Sequence, residues 1–196
     1  MGIELTGIVT PGGAKAKAEL MDDAVVFRGD IKQEVGFEEI TAEARGTLLV
    51  LSFRGRVVEL SAGAKAGAFA AKIRSPPSRL DRLGIEYGVS AALAGPLEPA
   101  FRSELSTRAV VASGAPKEPV QALFFAVPDA TALASLPKLV PLVAAGGVLW
   151  AVVPTGAPDL PGSKVASAAR AAGLKEKGST RFSSTHTAHR LAREAA

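Results

Sequence analysis

Pro76 and Pro77 stand side by side near the middle of the chain, and no helix runs through such a pair. Each proline fixes its own φ angle, lacks an N–H donor and keeps the preceding residue out of the α region. A helix that arrives from the N-terminal side must therefore end near Arg74 or Ser75. With 196 residues, the chain is long enough for two small domains. We predict domains at residues 1–74 and 83–196, joined by a hinge at residues 75–82.

Residues 1–74 have the pattern of an antiparallel β domain closed by one helix. Short segments rich in β-branched residues alternate with turn residues, which predicts about six or seven strands. Helical spacing then places Ala66, Phe69, Ala70 and Ile73 on one apolar face, with Ser61 as a candidate cap. We expect this face to cover the open end of the sheet.

The order of these elements resembles a pleckstrin-homology-like domain. The resemblance depends on the stretches "VVFRGD", "FEEITAEARGTLLVLSF" and "VVELSAG". It implies binding of a peptide, a lipid head group or another domain, and no chemistry.

Residues 83–196 change to short apolar strands that alternate with helices, which favours a βαβ arrangement with a parallel sheet. The run "VQALFFAV" is continuously apolar, as expected of a central strand buried on both faces. Asp129 is expected to cap a helical stretch that ends at Gly146–Gly147. A further strand and helix follow, and two closing strands complete the chain.

This second pattern resembles the later part of an S-adenosylmethionine-dependent methyltransferase, which implies an α/β Rossmann-like fold. The stretches "AAKIRSPPSRLDRLGI", "VQALFFAVPDATAL", "GGVLWAVVPTG" and "ASAARAAGL" also resemble a bacterial domain-of-unknown-function family, number three-zero-five-two. That resemblance covers about residues 75–196 and carries no activity with it. The fold class expected for the whole chain is therefore α+β in two domains.

The turn after the first Rossmann-like strand departs from a dinucleotide-binding loop. Such a loop needs several glycines, whereas this one has Gly95 followed by Pro96, which donates no N–H. The second strand also ends without the acidic residue that usually holds ribose hydroxyls, since Glu118 comes several residues later. The sequence therefore favours a protein without catalytic residues or cofactor, acting through protein or small-ligand binding.

The alternative is a methyltransferase that binds S-adenosylmethionine at an unusual site. Gly95, Pro96, Asp129 and Pro154 form this candidate site, because all four follow or end predicted strands at the carboxyl edge of the sheet. Asp129 has a competing role as a helix cap.

The sequence offers few residues for a metal site or for binding nucleic acid. The chain has no cysteine, and its two histidines, His186 and His189, are expected on opposite sides of a strand, so no metal site is predicted.

Residues 161–196 carry seven Lys or Arg against two Glu, which is typical of a solvated basic face; we expect no nucleic-acid partner. The start of the chain lacks a targeting pattern and no span is predicted, which favours the cytoplasm. Arg74, Arg79 and Arg82 suit either an anion site or ion pairs between domains.

Overall fold

The computed structural model describes residues 3–10, 13–21 and 23–193, and the chain divides into two compact units. The units are Met1–Ser78 and Arg79–Ala196. The division falls inside the segment 75–82 that the sequence assigns to a hinge. Residues 79–82 form a short helix of the second unit, so the sequence-based boundary and the structural one differ by a few residues.

The described part of the first unit contains one seven-stranded antiparallel sheet. Its strands are β1 (Ile3–Thr10), β2 (Ala14–Leu20), β3 (Ala24–Gly29), β4 (Gln33–Gly36), β5 (Thr41–Arg45), β6 (Leu48–Phe53) and β7 (Arg56–Ser61). Their order across the sheet is β4-β3-β2-β1-β7-β6-β5, so β1 lies in the middle between two series of hairpins. The rings of Phe27 on β3 and Phe53 on β6 stack with centroids 4.9 Å apart, although three strands separate them in the sheet. The sheet is therefore strongly curled.

A helix, α1 (Ala66–Arg74), packs on this curled sheet. It contacts β5 and β6, and Lys72 Nζ donates a hydrogen bond of 2.9 Å to the Met21 carbonyl after β2. The predicted apolar face is confirmed, because its four members are the buried residues of the helix. The predicted cap is wrong: Ser61 ends β7, and a 3-10 turn at Gly63–Lys65 leads into the helix instead.

The described part of the second unit contains a six-stranded mixed sheet. Its strands are β8 (Ser90–Ala94), β9 (Val110–Val111), β10 (Val120–Ala126), β11 (Val143–Pro154), β12 (Leu174–Arg181) and β13 (His186–Arg193). The order is β12-β13-β11-β10-β8-β9. β8, β9, β10 and β11 run parallel to one another. β13 runs antiparallel to β11, and β12 runs antiparallel to β13.

Four helices accompany the strands within the described residues of this unit. They are α2 (Arg79–Arg82), α3 (Pro99–Leu105), α4 (Leu136–Leu139) and α5 (Gly162–Ala171). The helix predicted to end near Gly173 is confirmed as α5, with Gly173 at φ +75° just beyond it. The stretch after Asp129 is broken into 3-10 turns around α4, because Pro137 and Pro141 interrupt it.

Gly146 and Gly147 do not end a helix, as the sequence had suggested. They lie inside β11, which already begins at Val143. The reason is pairing: Val143 pairs with Val120 on β10 and Val148 with Ala122, so residues 144–147 form an irregularity of β11 opposite Gln121. The closing strand pair is confirmed as β12 and β13.

β10 separates two apolar clusters of the second unit. Leu123 and Phe125 belong to the cluster on one face, and Ala122 and Phe124 to the cluster on the other. All four are buried, which confirms the prediction of a strand covered on both faces. Among the described residues, no helix is long and apolar enough to cross a membrane.

Backbone packing at Gly7 provides a test of the first unit. A Cβ on Gly7 would overlap the carbonyl oxygen of Glu59 on the paired strand β7. We expect Gly7→Ala to destabilise this unit by about 3 kcal/mol, since neither backbone can withdraw without breaking the ladder. Gly67→Ala is the control: Gly67 lies in α1 with open space around it, and alanine there should stabilise by about 0.5–1 kcal/mol.

The measurement is urea unfolding followed by far-UV circular dichroism. The single tryptophan, Trp150, lies in the second unit, so its fluorescence reports that unit separately. If Gly7→Ala leaves the unfolding transition of the first unit unchanged, the register in which β1 pairs with β7 is contradicted.

Candidate functional site

The strand order of the second unit reverses between β8 and β10. From β8 the chain moves outward to β9, returns to β10 on the other side and continues to β11. In open sheets of this kind, ligands bind in the crevice that such a reversal opens beyond the carboxyl ends of the strands. The turn after β8, residues 95–98, and the residues after β10, 127–128, meet at this position.

Gly95 allows β8 to leave the sheet very close to the end of β10. Its φ angle is +83°, a conformation that favours glycine. A Cβ at this position would lie 3.2 Å from the Ala126 Cβ and 3.4 Å from the Ala126 carbonyl oxygen. Any larger residue would therefore push against the end of β10.

A cleft opens at this reversal, with about 400 Å³ of empty space including its open side. Its walls come from residues 96–98, residues 126–128, Val152, Phe182 and His186. Most of these side chains are apolar. Glu98 and His186 are the ionisable groups among the described residues that line it.

Arg79 connects three of the segments around the cleft. Its Nε donates to Glu104 Oε2 at 2.8 Å, and its Nη1 donates to Glu98 Oε2 at 3.2 Å and to the Phe182 carbonyl at 3.4 Å. Its Nη2 also bonds to Glu104. The Arg79 side chain is 16% exposed, so these bonds compensate the charge where little water reaches it.

Aromatic rings complete the environment of Arg79. Its guanidinium carbon lies 4.9 Å from the centroids of both Phe101 and Phe182. Phe101 in turn packs edge-to-face on Phe124 and Phe182, at 4.8 and 4.7 Å. Burial acts to lower the pKa of Arg79, but its bonds to Glu104 and Glu98 outweigh burial and raise the pKa above its ordinary value. We call Arg79, Glu98 and Glu104 the Arg79 clamp.

The two histidines do not share a site. His186 lines the cleft, and its Nδ1 lies 2.9 Å from the Thr185 hydroxyl. His189 is buried, with its Nδ1 2.6 Å from Glu176 Oε1. Among the described residues, no group of three His, Asp or Glu side chains is arranged to hold a metal ion.

Of the four residues of the sequence-based site, the structure places Gly95 and Pro96 at the cleft, and Asp129 and Pro154 do not line it. Pro96 lines the cleft, and Gly95 shapes it from the adjoining position. Asp129 caps the turn that follows it: its Oδ1 accepts from the Thr131 and Ala132 amides at 2.8 and 3.1 Å. Hydrogen bonds from the Thr131 hydroxyl and these amides lower the pKa of Asp129. Pro154 ends β11 and is not among the residues that line the cleft.

Sequence reasoning missed Glu98, Phe182 and His186 as neighbours. Glu98 is visible in the turn after β8, but nothing in the sequence relates that turn to the hairpin of β12 and β13. The second strand ends as the sequence predicts, without an acidic residue: β9 ends at Val111, and Glu118 is exposed.

No family model matches the chain, and no curated protein matches it. Solved structures that match it include ribosomal protein L11 methylase from Lactobacillus delbrueckii subsp. bulgaricus, at 9% identity over 60% of this chain and 75% of that chain, with a TM-score of 0.42. The DhpI–SAH complex matches at 18% identity over 66% and 92%, with a TM-score of 0.43. Aeropyrum pernix fibrillarin with natively bound S-adenosyl-L-methionine matches at 11% identity over 87% and 94%, with a TM-score of 0.38.

Two predictions from the sequence are corrected by these matches: that the chain is non-catalytic, and that it holds no cofactor. The matched structures are a methylase and proteins that hold S-adenosyl-L-methionine or SAH. The sequence argument depended on the single glycine of the turn after β8, and a cleft lies beside that turn in the structure. Likeness at this distance transfers no residue roles and no acceptor, so the function has to be inferred from the site.

The Arg79 clamp provides a test of how the second unit is held together. Lysine keeps the charge of Arg79 but cannot bond to two carboxylates and stack on two rings at once. We expect Arg79→Lys to lower the free energy of unfolding by about 1.5–3 kcal/mol, the range for hydrogen bonds to charged groups. Urea unfolding followed by Trp150 fluorescence measures it. Arg170→Lys, at an exposed position of α5, should leave the transition unchanged; equal stability of the two variants would contradict the role of the clamp.

Proposed function

We propose that this chain is a methyltransferase that binds S-adenosylmethionine in the cleft between the ends of β8 and β10. The observation that carries the proposal is the position of the cleft. It lies where the strand order reverses, and its entrance turn contains a glycine with φ of +83°, at which an added Cβ would lie 3.2 Å from the Ala126 Cβ at the end of β10.

The residues of the cleft fit S-adenosylmethionine. Apolar walls from Leu97, Val127, Val152 and Phe182 suit an adenine ring and a thioether chain, which need to be taken out of water. Glu98 supplies a negative charge beside them. When bound, S-adenosylmethionine supplies a methyl group on a positively charged sulfur. The chain's own part is to bind and orient it and to exclude water around the transferred group.

The sheet supports the same proposal. β13 is inserted antiparallel between β11 and β12, and the parallel strands lie on the other side of β11. This arrangement fits the methyltransferase-like resemblance found in the sequence. The resemblance to the bacterial family three-zero-five-two remains a proposal for the same region.

The first unit supports a second, separate role. We propose that it is a pleckstrin-homology-like module, on the basis of its curled seven-stranded sheet and the helix α1 against β5 and β6. Such a module implies binding of a peptide, a lipid head group or another domain. For the whole chain we propose a cytoplasmic location and no nucleic-acid partner.

Calorimetric titration of the full-length protein with S-adenosylmethionine tests the proposed function. We expect saturable one-to-one heat from the parent protein. Gly95→Ala should weaken binding by about tenfold, because its Cβ contacts Ala126 in the cleft wall. Gly173→Ala is the matched control: Gly173 also has a positive φ, of +75°, but a Cβ there meets nothing within 4 Å.

Asp129→Asn is a second control, because Asp129 caps a turn and does not line the cleft. We expect it to bind S-adenosylmethionine as the parent does. Absence of heat from the folded parent protein would overturn the proposed function. Equal affinity in Gly95→Ala and the parent would show that binding occurs elsewhere.

A further inference from the structure

We infer that the second unit has another binding site, at the amino ends of its parallel strands, and that this site takes an α-amino acid with an apolar side chain. The site is separate from the cleft, which lies at the carboxyl ends of the same strands. The inference therefore does not rest on the proposed function.

A groove lies at this edge of the sheet, with about 560 Å³ of empty space including its open side. Its walls include the loop at residues 83–86, the first residues of β10, the first half of β11 and Arg190 on β13. We call it the amino-edge groove. Its size, and its combination of apolar walls with a few charged groups, are typical of a site for a small molecule.

The floor of the amino-edge groove is apolar. Ala122 and Trp150 are buried members of the apolar cluster on this face of the sheet, and Val148 is partly buried against the same cluster. An apolar side chain that lies on Val148 would cover the part of this cluster that water still reaches. Such burial favours binding in proportion to the apolar area removed from water.

Hydrogen bonds hold two sides of the groove in place. The Ser90 amide donates to Gln121 Oε1, and the Gln121 amide donates to Ser90 Oγ, each at 3.1 Å. On the loop, the Ile85 amide donates to the Leu80 carbonyl at 2.9 Å, and the Ile85 carbonyl accepts from Arg108 Nη1 at 3.4 Å. Walls that are fixed by the protein's own bonds lower the entropic cost of binding.

Arg190 brings a positive charge to the apolar floor. It is paired with Trp150 across β13 and β11, and side chains paired in this way lie on the same face of the sheet. Arg190 is exposed, and within the described ranges of the chain its guanidinium makes no ion pair and no hydrogen bond. A guanidinium in this position can bond to both oxygens of a carboxylate.

Glu86 brings the opposite charge from the loop. It is exposed and lines the same groove, and its carboxylate makes no ion pair with any residue that the structure describes. Glu86 and Arg190 thus line one groove without neutralising each other. A carboxylate in this position suits a ligand group that has both a positive charge and N–H donors.

The three features together select the ligand. An α-amino acid with an apolar side chain has a carboxylate for Arg190, an ammonium group for Glu86 and an apolar part for the floor. A simple carboxylic acid would leave Glu86 unmatched and would be repelled by it, and a simple amine would have the same difficulty with Arg190.

Calorimetric titration of the full-length protein tests the inference with three probes. They are L-leucine, 4-methylpentanoate, which is leucine without its ammonium group, and 3-methylbutylamine, which is leucine without its carboxylate. We expect saturable one-to-one heat with L-leucine at millimolar concentration, and binding of each analogue weaker by about tenfold or more. Trp150, the single tryptophan, lies in the groove, so its fluorescence should move to shorter wavelength as L-leucine displaces water.

Two charge variants test the residues. We expect Arg190→Gln and Glu86→Gln each to weaken L-leucine by about tenfold, since each loses one charged partner of the ligand. Arg190→Gln should also lose the preference for L-leucine over 3-methylbutylamine. Arg170→Gln and Glu118→Gln are the matched controls, because both residues are exposed and neither lines the groove; both should bind L-leucine as the parent does.

The remaining outcomes separate this inference from the proposed function. Absence of heat with L-leucine, or parent-like binding by both Arg190→Gln and Glu86→Gln, would overturn the inference. Weaker binding of L-leucine by Gly95→Ala would place the amino acid in the cleft, and this would overturn it as well. A protein that binds L-leucine at the groove and no S-adenosylmethionine would overturn only the proposed function.

Discussion

Burial of β10 on both faces is the constraint from which the second unit is built. A strand whose side chains are apolar in both directions must have an apolar cluster on each side, and parallel neighbours satisfy its backbone. β8 pairs on one edge and β11 on the other, so the chain has to reverse its direction across the sheet beside β10. The reversal opens the cleft. The site is therefore a consequence of how the core is formed.

The Arg79 clamp shows how that cleft keeps its shape. Its wall residues come from a turn near residue 95, a strand end near residue 126 and a hairpin near residue 182, which are distant in sequence. Arg79 bonds to the first and the last of these segments and stacks on the aromatic rings below them. A positive charge in such surroundings is stable only with carboxylates beside it. Both carboxylates bond to Arg79, and Glu98 also lines the cleft.

Local patterns predicted much of the fold. The apolar face of α1, the doubly buried β10, the helix α5 with Gly173 beyond it and the closing strand pair all follow from spacing that neighbouring residues determine. The errors have a common cause. Gly146 and Gly147 are good helix-ending residues locally, but pairing of Val143 with Val120 places them in a strand. Ser61 is a good helix cap locally, but strand pairing keeps it in β7. In both cases long-range pairing overrides local preference.

The sequence by itself determined the two-part organisation, the class of each sheet and the glycine at the end of β8. These depend on periodicity and on the φ angles that glycine and proline allow, which are properties of a few adjacent residues. Tertiary structure alone decided that a cleft lies beside this glycine and that Glu98, Phe182 and His186 meet there. A cleft is a relation between segments many residues apart, and only packing around β10 brings those segments together.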